Sequence, residues 1–350
     1  MNWFQHAAQP VDQAAVDRAI ARQNTLTKPP GSLGQLEQVA IRLCGMMGDT
    51  PQPDRPAIVV FAADHGVAEE NVSVFPQAVT AEMVRNFSTG GAAICVLARN
   101  IPASLEVVHL GTVNDPGPLP GVVREIIAPA SGNLSKSAAM DSAQLNQAME
   151  AGRSAVKRAL QAGRNIFIGG DMGIANTTSA SALICAFLDL PADQVSGPGT
   201  GLAPEGVAHK ADVIGHALAL HKAQMTDAVE TLRHVGGFEI AALTGAYIAA
   251  AQAGLPVIVD GFIASSAALA AVKINPGCAR WLILSHVSAE PGYRRLQQAL
   301  EPLTGCPPLI DLGMRLGEGS GAAVVLPMIQ IACRLHNEMA TFAQAGVSEG

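Results

Sequence analysis

Polar side chains that could do chemistry cluster in short segments directly after apolar runs. Six runs end this way, in Asp64-His65-Gly66, Gly111-Thr112-Val113-Asn114, Gly169-Gly170-Asp171-Met172-Gly173, Asp260-Gly261, Ser285-His286-Val287-Ser288 and Asp311-Leu312-Gly313. The carboxyl ends of parallel strands lie at one edge of a sheet, and ligands of such sheets bind there. Any one Asp or Ser in this position could merely cap the following helix. Six coincident endings favour a binding site at this edge, with Ser288 among its candidate residues.

Two glycine-rich loops are candidates for binding an anion. The first begins at Gly173 and leads into three polar residues that open a small-residue helix, Asn176, Thr177 and Thr178. Backbone N–H groups and hydroxyls at a helix N-terminus attract anions. The second loop, residues 197–201, has Gly199 at its centre and is followed by Lys210, a candidate phosphate partner. Neither loop matches a standard nucleotide fingerprint, so a plain tight turn stays an alternative for each.

A single carboxylate stands among glycines near the C-terminal end. Glu318 lies between Gly317 and Gly319, after the last apolar run and before an apolar helix. Its glycine neighbours have no side chains that could shield it, so its own side chain points either at solvent or at a ligand. It could complement the dipole of the helix that follows. The functional alternative is a general base held at the sheet edge and shielded from water.

Metal chemistry has little support in the sequence. The nine histidines include no H-E-x-x-H pattern, and the nearest pair, His216 and His221, does not share a helix face well. Asp64 and His65 could form a cation site with His286 only if folding brings them together. No G-x-S-x-G elbow of a serine hydrolase is present. We therefore predict a site without a metal ion or cofactor.

Composition excludes several classes of protein. Lys and Arg total 22 against 29 for Asp and Glu, a net charge of −7, and aromatic residues make up only 4%. No basic or aromatic stripe suits a nucleic acid. The uncharged stretch 240–259 is broken by Gly254 and Pro256, so we predict no membrane span. Six widely spaced cysteines and a start without a signal pattern predict a cytoplasmic protein.

The elements that must position these residues follow from the apolar pattern. Continuous apolar runs predict strands buried on both faces, at 57–63, 105–110, 165–168, 256–259, 281–284 and 308–310. Helical segments alternate with them, chiefly at 143–162, 207–225 and 238–253. This alternation predicts an α/β fold with a mainly parallel sheet and right-handed crossovers, which place helices on both faces.

The two ends of the chain differ from the middle. Helical segments are expected at 11–23, 35–47 and 322–342, and no strand candidate precedes residue 57. The second of these helices opens with Ser32-Leu33-Gly34-Gln35, the pattern of a capping box. We predict that both termini together form a small helical domain beside the sheet.

Distinctive motifs occur in order along nearly the whole chain: TKPPGSLG at 27–34, FAADHGV at 61–67, VFPQ at 74–77, GGAAI at 90–94, GIANTT at 173–178, GPGTG at 197–201, DGF at 260–262, SH at 285–286 and RLGEGSG at 315–321. In these motifs the chain resembles one known family, the nicotinate-nucleotide–dimethylbenzimidazole phosphoribosyltransferases of cobalamin biosynthesis. Several long matches in order are far more specific than any one glycine-rich loop.

The resemblance implies both an architecture and an activity. It implies a homodimer whose subunit has a Rossmann-like large domain at 55–318 and a small helical domain from 1–54 and 319–350. It implies transfer of the phosphoribosyl group of nicotinate mononucleotide to 5,6-dimethylbenzimidazole, which gives α-ribazole 5′-phosphate and nicotinate. No nucleic acid, membrane, metal or cofactor takes part.

The resemblance also implies roles for particular residues. The catalytic base falls on Glu318. The second acidic residue, Glu in typical members, falls on Asp171, whose side chain is one methylene shorter. The phosphate loop falls on Gly173–Thr178 with Lys210 nearby, and Gly199 and Ser288 are further substrate-binding candidates. The benzimidazole pocket is expected to contain Phe75, Gln77, Met172 and Leu316.

The chemistry of this reaction needs few protein groups. Nicotinate leaves as a neutral ring, while the attacking benzimidazole must lose a proton, for which one carboxylate such as Glu318 suffices. A single displacement inverts the configuration at C1′. Two alternatives stay open at this stage: a nucleotide-dependent oxidoreductase on a doubly wound sheet, and a non-catalytic sensor of a nucleotide or base.

Overall fold

The computed structural model of the chain describes residues 2–348 and contains one parallel sheet of six strands. The strands are β1 (Pro56–Ala63), β2 (Ser104–Gly111), β3 (Val122–Arg124), β4 (Ile166–Met172), β5 (Val257–Val259) and β6 (Leu282–Leu284). Their order in the sheet is β3-β2-β1-β4-β5-β6. Strand order therefore reverses between β1 and β4, and a crevice for ligands opens at the carboxyl ends of these strands. The prediction of a Rossmann-like α/β fold is confirmed.

The helices follow the strands in the alternating pattern. They are α1 (Gln13–Thr25), α2 (Gln35–Met47), α3 (Ala78–Thr89), α4 (Ala93–Asn100), α5 (Ser142–Gln161), α6 (Asn176–Leu188), α7 (Pro204–His221), α8 (Ala228–Val235), α9 (Phe238–Ala253), α10 (Phe262–Ile274), α11 (Tyr293–Thr304), α12 (Ser320–Glu338) and α13 (Phe342–Ala345). All eight residues of β1 are buried, because helices cover both faces of the sheet as the continuous apolar run predicts.

The strand predictions have one error and one omission. The segment 308–310 is not a strand, because its only ladder contact is an isolated bridge between Ile310 and His286. The omitted strand is β3, a three-residue edge strand whose residues are only partly buried. It lies beside β2, where Val108 pairs with Val123. An edge position of this kind needs no continuous apolar run, so the sequence carries little signal for it.

The start of α2 differs from the predicted capping box. The residue that precedes the helix is Gly34, with φ of +56° and no side-chain cap. Ser32 instead lies within the preceding turn. Glu37 takes over part of the capping, since its Oε1 accepts a hydrogen bond from the Leu33 N–H (3.0 Å) and lies 2.8 Å from Lys28 Nζ. The helix bounds are as predicted, but the capping residue is wrong.

Helices from the two ends of the chain pack together. Helix α2 contacts both α1 and α12. Arg22 on α1 donates from Nε to the backbone carbonyl of His336 on α12 (2.7 Å), and Gln23 Nε2 lies 3.0 Å from His336 Nδ1. An isolated antiparallel bridge joins Leu26 to Thr341. The buried apolar side chains of α2 and α12 belong to the same core cluster as the sheet.

The uncharged stretch around α9 is divided as the sequence predicts. Gly254 ends the helix with φ of +71°, and β5 starts three residues later at Val257. Among residues 2–348, no helix is long and apolar enough to cross a bilayer.

Candidate active site

A cleft of about 280 Å³ lies at the carboxyl ends of β4, β5 and β6. It is lined by nine residues that the sequence analysis singled out: Phe75, Asp171, Met172, Gly173, Asn176, Thr177, Gly199, Ser288 and Leu316. Residues from distant parts of the chain meet here because parallel strands end at one edge. The structure thus brings most of the predicted site residues together around one cavity.

Four predicted site residues do not line the cleft. Gln77 donates from Nε2 to the backbone carbonyl of His65 (2.8 Å), so it anchors the loop that carries Phe75. Thr178 is fully buried in the first turn of α6. Lys210 and Glu318 are also buried, and each contacts a residue near the cavity wall, as described below.

One end of the cleft is suited to an anion. Lys210 on α7 is 1% exposed, and its Nζ donates to Thr177 Oγ1 (3.0 Å) and to the Gly197 carbonyl (3.1 Å). An ammonium has three N–H donors, so one remains for a ligand. Burial lowers the pKa of Lys210 to about 8. Thr177 itself lies in the first turn of α6, where free N–H groups and the helix dipole favour negative charge.

A second cation and a carboxyl accompany Lys210. Arg315 lines the cleft and donates from Nη1 to the Gly199 carbonyl (2.8 Å). Glu290 also lines the cleft and is 5% exposed. Its burial raises the pKa of its carboxyl, while the positive charges of Lys210 and Arg315 act in the opposite direction. Glu290 is not among the site residues predicted from the sequence.

The loop over the cleft is tied to the glycine-rich loop of the anion end. Ser73 Oγ lies 3.1 Å from Thr200 Oγ1. This contact holds Phe75 over the opening, although half of the Phe75 side chain stays exposed. Leu316 is also exposed at the mouth, while Met172 is partly buried. Together the three side chains give the cleft an apolar wall that could receive a flat ring.

The other end of the cleft is acidic. Asp171, at the end of β4, is 6% exposed and accepts a hydrogen bond from Asn176 Nδ2 at its Oδ2 (3.1 Å). A Cβ built on Gly317 would lie 3.1 Å from the same oxygen. Burial raises the pKa of Asp171 well above its usual value, and the nearby charges of Asp260 and Glu239 raise it further.

Asp260, at the same end of the cleft, caps helix α12. Its Oδ2 accepts from the Gly319 N–H (3.1 Å) and its Oδ1 from the Ala322 N–H (3.0 Å), so it caps α12 from the end of β5. His286 Nδ1 lies 3.8 Å from Asp260 Oδ1 and 2.9 Å from Ser285 Oγ. Asp260 therefore does cap a helix, as a strand-end carboxylate could. The helix is α12, which begins 60 residues later, and not α10, which directly follows Asp260 in the chain.

Glu318 is held in an unusual backbone conformation. Its φ is +63°, and its neighbours Gly317 and Gly319 also have positive φ, at +89° and +85°. A non-glycine residue in this region is strained and is often found at functional sites. The backbone of Glu318 lies so close to β4 that a Cβ on Gly170 would overlap the Glu318 carbonyl. Its N–H donates to the Asp171 carbonyl (3.2 Å).

The Glu318 side chain is 5% exposed and points to the first turn of α4. Its Oε2 accepts from the Ile94 N–H (3.1 Å). The other oxygen, Oε1, forms no side-chain hydrogen bond with any residue between 2 and 348. Burial raises the pKa of Glu318, while the hydrogen bond from Ile94 opposes that rise. A carboxylate with one free oxygen and a raised pKa can accept a proton near neutral pH.

A buried polar network supports the floor of the site. His65 Nε2 lies 2.5 Å from Glu239 Oε1 on α9, within hydrogen-bonding distance, and its Nδ1 lies 2.9 Å from Ser179 Oγ on α6. Asp64 accepts from the Val113 N–H (2.9 Å). His286 is instead paired with Asp260, so the three residues of the conceivable cation site have separate partners. Among residues 2–348, no group of three or more His, Cys, Asp or Glu side chains could hold a metal ion.

Several functional residues escaped the sequence analysis. Asp260 and Arg315 lie within motifs quoted above, but their roles depend on contacts that only the fold shows. Glu290 lies in a loop and Glu239 opens the apolar helix α9, where an acid could equally complement the helix dipole. The partner of Glu239 is 174 residues away, so only the fold shows that it contacts His65.

Comparison with known proteins defines the class. A family model described as phosphoribosyltransferase matches residues 8–347. A protein of Pseudomonas putida (strain W619) named nicotinate-nucleotide–dimethylbenzimidazole phosphoribosyltransferase is 54% identical over 348 residues, which cover 99% of this chain and 98% of that protein. A protein of the same name from Azotobacter vinelandii is 55% identical over 350 residues, with 99% and 98% covered.

A solved structure agrees with these relatives. The crystal structure of CobT from Thermus thermophilus superposes with a TM-score of 0.92 at 42% identity, and the match covers 96% of this chain and 100% of that one. The chain therefore belongs to the nicotinate-nucleotide–dimethylbenzimidazole phosphoribosyltransferase family, and the resemblance seen in its motifs is confirmed. Membership of a transferase family decides against the oxidoreductase alternative.

Proposed function

We propose that this chain transfers the 5-phosphoribosyl group of nicotinate mononucleotide to 5,6-dimethylbenzimidazole, giving α-ribazole 5′-phosphate and nicotinate. The observation that carries the proposal is a single cleft with a cationic end and an acidic end, separated by an apolar wall. The names of the relatives support the same reaction.

The phosphate of the nucleotide binds at the cationic end. The free N–H donor of Lys210, the first turn of α6 around Thr177 and the backbone near Gly199 surround this position. Binding energy from a group remote from the reacting carbon holds the ribose in place for displacement. Ser288 lines the same cavity and contributes a hydroxyl.

The benzimidazole lies against the apolar wall formed by Phe75, Met172 and Leu316. These side chains exclude water, which would otherwise compete for the electrophilic C1′ carbon. The unsubstituted ring nitrogen attacks C1′ from the face opposite the nicotinate. The new N–C1′ bond forms while the electrons of the old bond return to the pyridinium nitrogen, so nicotinate leaves without taking up a proton.

Glu318 accepts the proton from the other benzimidazole nitrogen through its free Oε1, after its side chain turns toward the cleft. Asp171 plays a different part. Burial and the nearby charges of Asp260 and Glu239 raise the pKa of Asp171, which favours its protonated form, and a protonated Asp171 can donate a hydrogen bond to the substrate. All atoms and electrons balance in this scheme with no metal or cofactor.

The test is a time course of nicotinate release measured by chromatography. Release should require 5,6-dimethylbenzimidazole and should match the ribotide product mole for mole. Release that proceeds equally without the base would show a hydrolase, and binding of both compounds without release would show a non-catalytic sensor.

We also propose three features of organisation. The large domain spans 55–318 and the helical domain 1–54 and 319–350, of which residues 1, 349 and 350 lie outside the described part. The contacts of Arg22 with α12 support this division, and limited proteolysis tests it. Two copies form a homodimer, which light scattering tests. The six free, buried cysteines support a cytoplasmic location, which fractionation tests.

A further inference from the structure

A buried carboxyl at the anion end has no part in the chemistry described so far. Glu290 follows β6 and α11 begins just after it, and its side chain lines the cleft at 5% exposure. A carboxylate beside the position of a phosphate repels it, so its presence there needs a physical reason.

The packing around Glu290 shows that the protein makes room for it. A Cβ on Gly197 would overlap Glu290 Oε2, so any larger residue at that position would displace the carboxyl. The carbonyl of the same Gly197 accepts a hydrogen bond from Lys210 Nζ. The carboxyl and the ammonium therefore flank one residue of the glycine-rich loop. Two residues further along, the Gly199 carbonyl holds Arg315.

The charges that face Glu290 come from several elements. Lys210 on α7 and Arg315 in the segment before α12 are the cations, and they favour the ionised carboxylate. Asp171, Asp260 and His286 line the same cleft. The Lys210 ammonium donates to Thr177 and Gly197 rather than to Glu290, and its positive charge still favours the ionised carboxylate, so Glu290 can balance that charge without occupying the free donor.

We propose that Glu290 is the internal counter-ion of the anion end and takes up one proton when the phosphate of the substrate enters. The proposal rests on the proposed function, because it requires the phosphate to bind beside Lys210. In the complex, the protonated Glu290 donates its O–H to a phosphate oxygen.

Charge balance gives the reason. A phosphate monoester carries a charge of about −1.5 to −2 near neutral pH. Lys210 and Arg315 together supply two positive charges, which the dianion neutralises when Glu290 is uncharged. If Glu290 stayed ionised, one negative charge would remain in a buried, poorly solvated site. The proton comes from the solvent, and it returns when the phosphorylated product leaves.

The direct test is calorimetry of nicotinate mononucleotide binding in two buffers that differ in ionisation enthalpy, which reports the protons taken up. The measurement is made at about pH 7, where Lys210 is already protonated. The unaltered chain should take up more protons, by up to one, with the mononucleotide than with nicotinate riboside, which lacks the phosphate. Glu290→Gln should abolish the difference. The matched control, Glu205→Gln, removes an exposed carboxyl from α7 and should retain it.

The pH dependence of KM gives a second readout. Below about pH 8, where Lys210 keeps its charge, KM for nicotinate mononucleotide should rise by up to about tenfold per pH unit above the pKa of Glu290 in the free protein. In Glu290→Gln the rise in this range should be absent, and only the rise caused by deprotonation of Lys210 at higher pH should remain. Equal proton uptake for the two ligands in the unaltered chain, or an unchanged KM profile in the variant, would overturn the proposal, and the first measurement does not depend on any variant folding.

The same binding measurements distinguish a failure of the proposed function from a failure of the role of Glu290. If nicotinate riboside binds as tightly as the mononucleotide, the phosphate does not bind at this end at all. If the mononucleotide binds more tightly but without proton uptake, only the role of Glu290 is wrong.

Discussion

Replacing Glu318 by Gln isolates its role as a base from its role in the fold. The amide oxygen of Gln can still accept the hydrogen bond from the Ile94 N–H that Oε2 accepts now. The side-chain length and the positive φ of residue 318 are also unaffected. Only the ability to take a proton is lost, so the variant should fold and bind both substrates.

The size of the effect follows from general-base catalysis. Such assistance contributes about 10²–10⁴ in rate, so kcat of Glu318→Gln should fall by that factor. This corresponds to about 3–5 kcal/mol of transition-state stabilisation. KM for 5,6-dimethylbenzimidazole should change little, because the apolar wall that binds the ring is intact.

The pH profile should change in a defined direction. A general base works only when it is deprotonated, so kcat of the unaltered chain should fall as the pH drops through the raised pKa of Glu318. That acidic limb should disappear from the residual activity of Glu318→Gln. A matched control is Glu82→Gln, which removes an exposed carboxyl from α3.

The assay is steady-state release of nicotinate, followed by chromatography between acidic and mildly alkaline pH. Activity of Glu318→Gln within a few fold of the unaltered chain would refute the role of Glu318 as the base. An acidic limb that persists in the variant would assign the titration to another group, with Asp171 the nearest candidate.

Three further substitutions test the anion end, the close approach at β4 and the start of α12. Lys210→Met should raise KM for nicotinate mononucleotide about ten- to 150-fold, since a hydrogen bond to a charged group contributes about 1.5–3 kcal/mol. Gly170→Ala should lower the free energy of unfolding by about 1–3 kcal/mol in chemical denaturation, because the added Cβ overlaps the Glu318 carbonyl. Asp260→Asn should lower the free energy of unfolding by about 0.5–2 kcal/mol, because it weakens the cap of α12. It should also speed hydrogen exchange at the Gly319 amide.

Each of these substitutions has a clear contrary result. Lys222→Met removes an exposed cation at the end of α7, and an equal effect on KM from this control would show that Lys210 acts only through net charge. Gly215→Ala places a Cβ in open space on the same helix and should be neutral or stabilising. A Gly170→Ala variant as stable as Gly215→Ala would disprove the close approach. Unchanged exchange at Gly319 in Asp260→Asn would mean that Asp260 does not cap the helix.

The sheet was largely predictable because fully buried strands leave continuous apolar runs. The run at 57–63 corresponds to β1, all of whose residues are buried. The same logic fails for β3, which is short and only partly buried. It also fails for 308–310, where Pro308 is buried and Leu309 and Ile310 are partly buried, but the segment forms only an isolated bridge to His286. Helices were predictable where a glycine stops them, as Gly254 does for α9.

The site was predictable only in part. Strand-end residues such as Asp171 could be placed at one edge from topology alone, because every parallel strand delivers its carboxyl end there. Contacts between residues far apart in the sequence could not be predicted. Asp260 caps a helix that begins 60 residues later, and Glu239 meets His65 across 174 residues. Nothing in the local sequence around Glu290 indicates that it lies beside Lys210.

The configuration of the product tests the central claim most directly. The chain is incubated with nicotinate mononucleotide and 5,6-dimethylbenzimidazole, and the anomeric configuration of the ribotide is read by proton NMR. Attack on C1′ opposite the departing nicotinate predicts the α-ribotide alone. A β-ribotide, or a mixture of the two, would contradict a single displacement in this cleft.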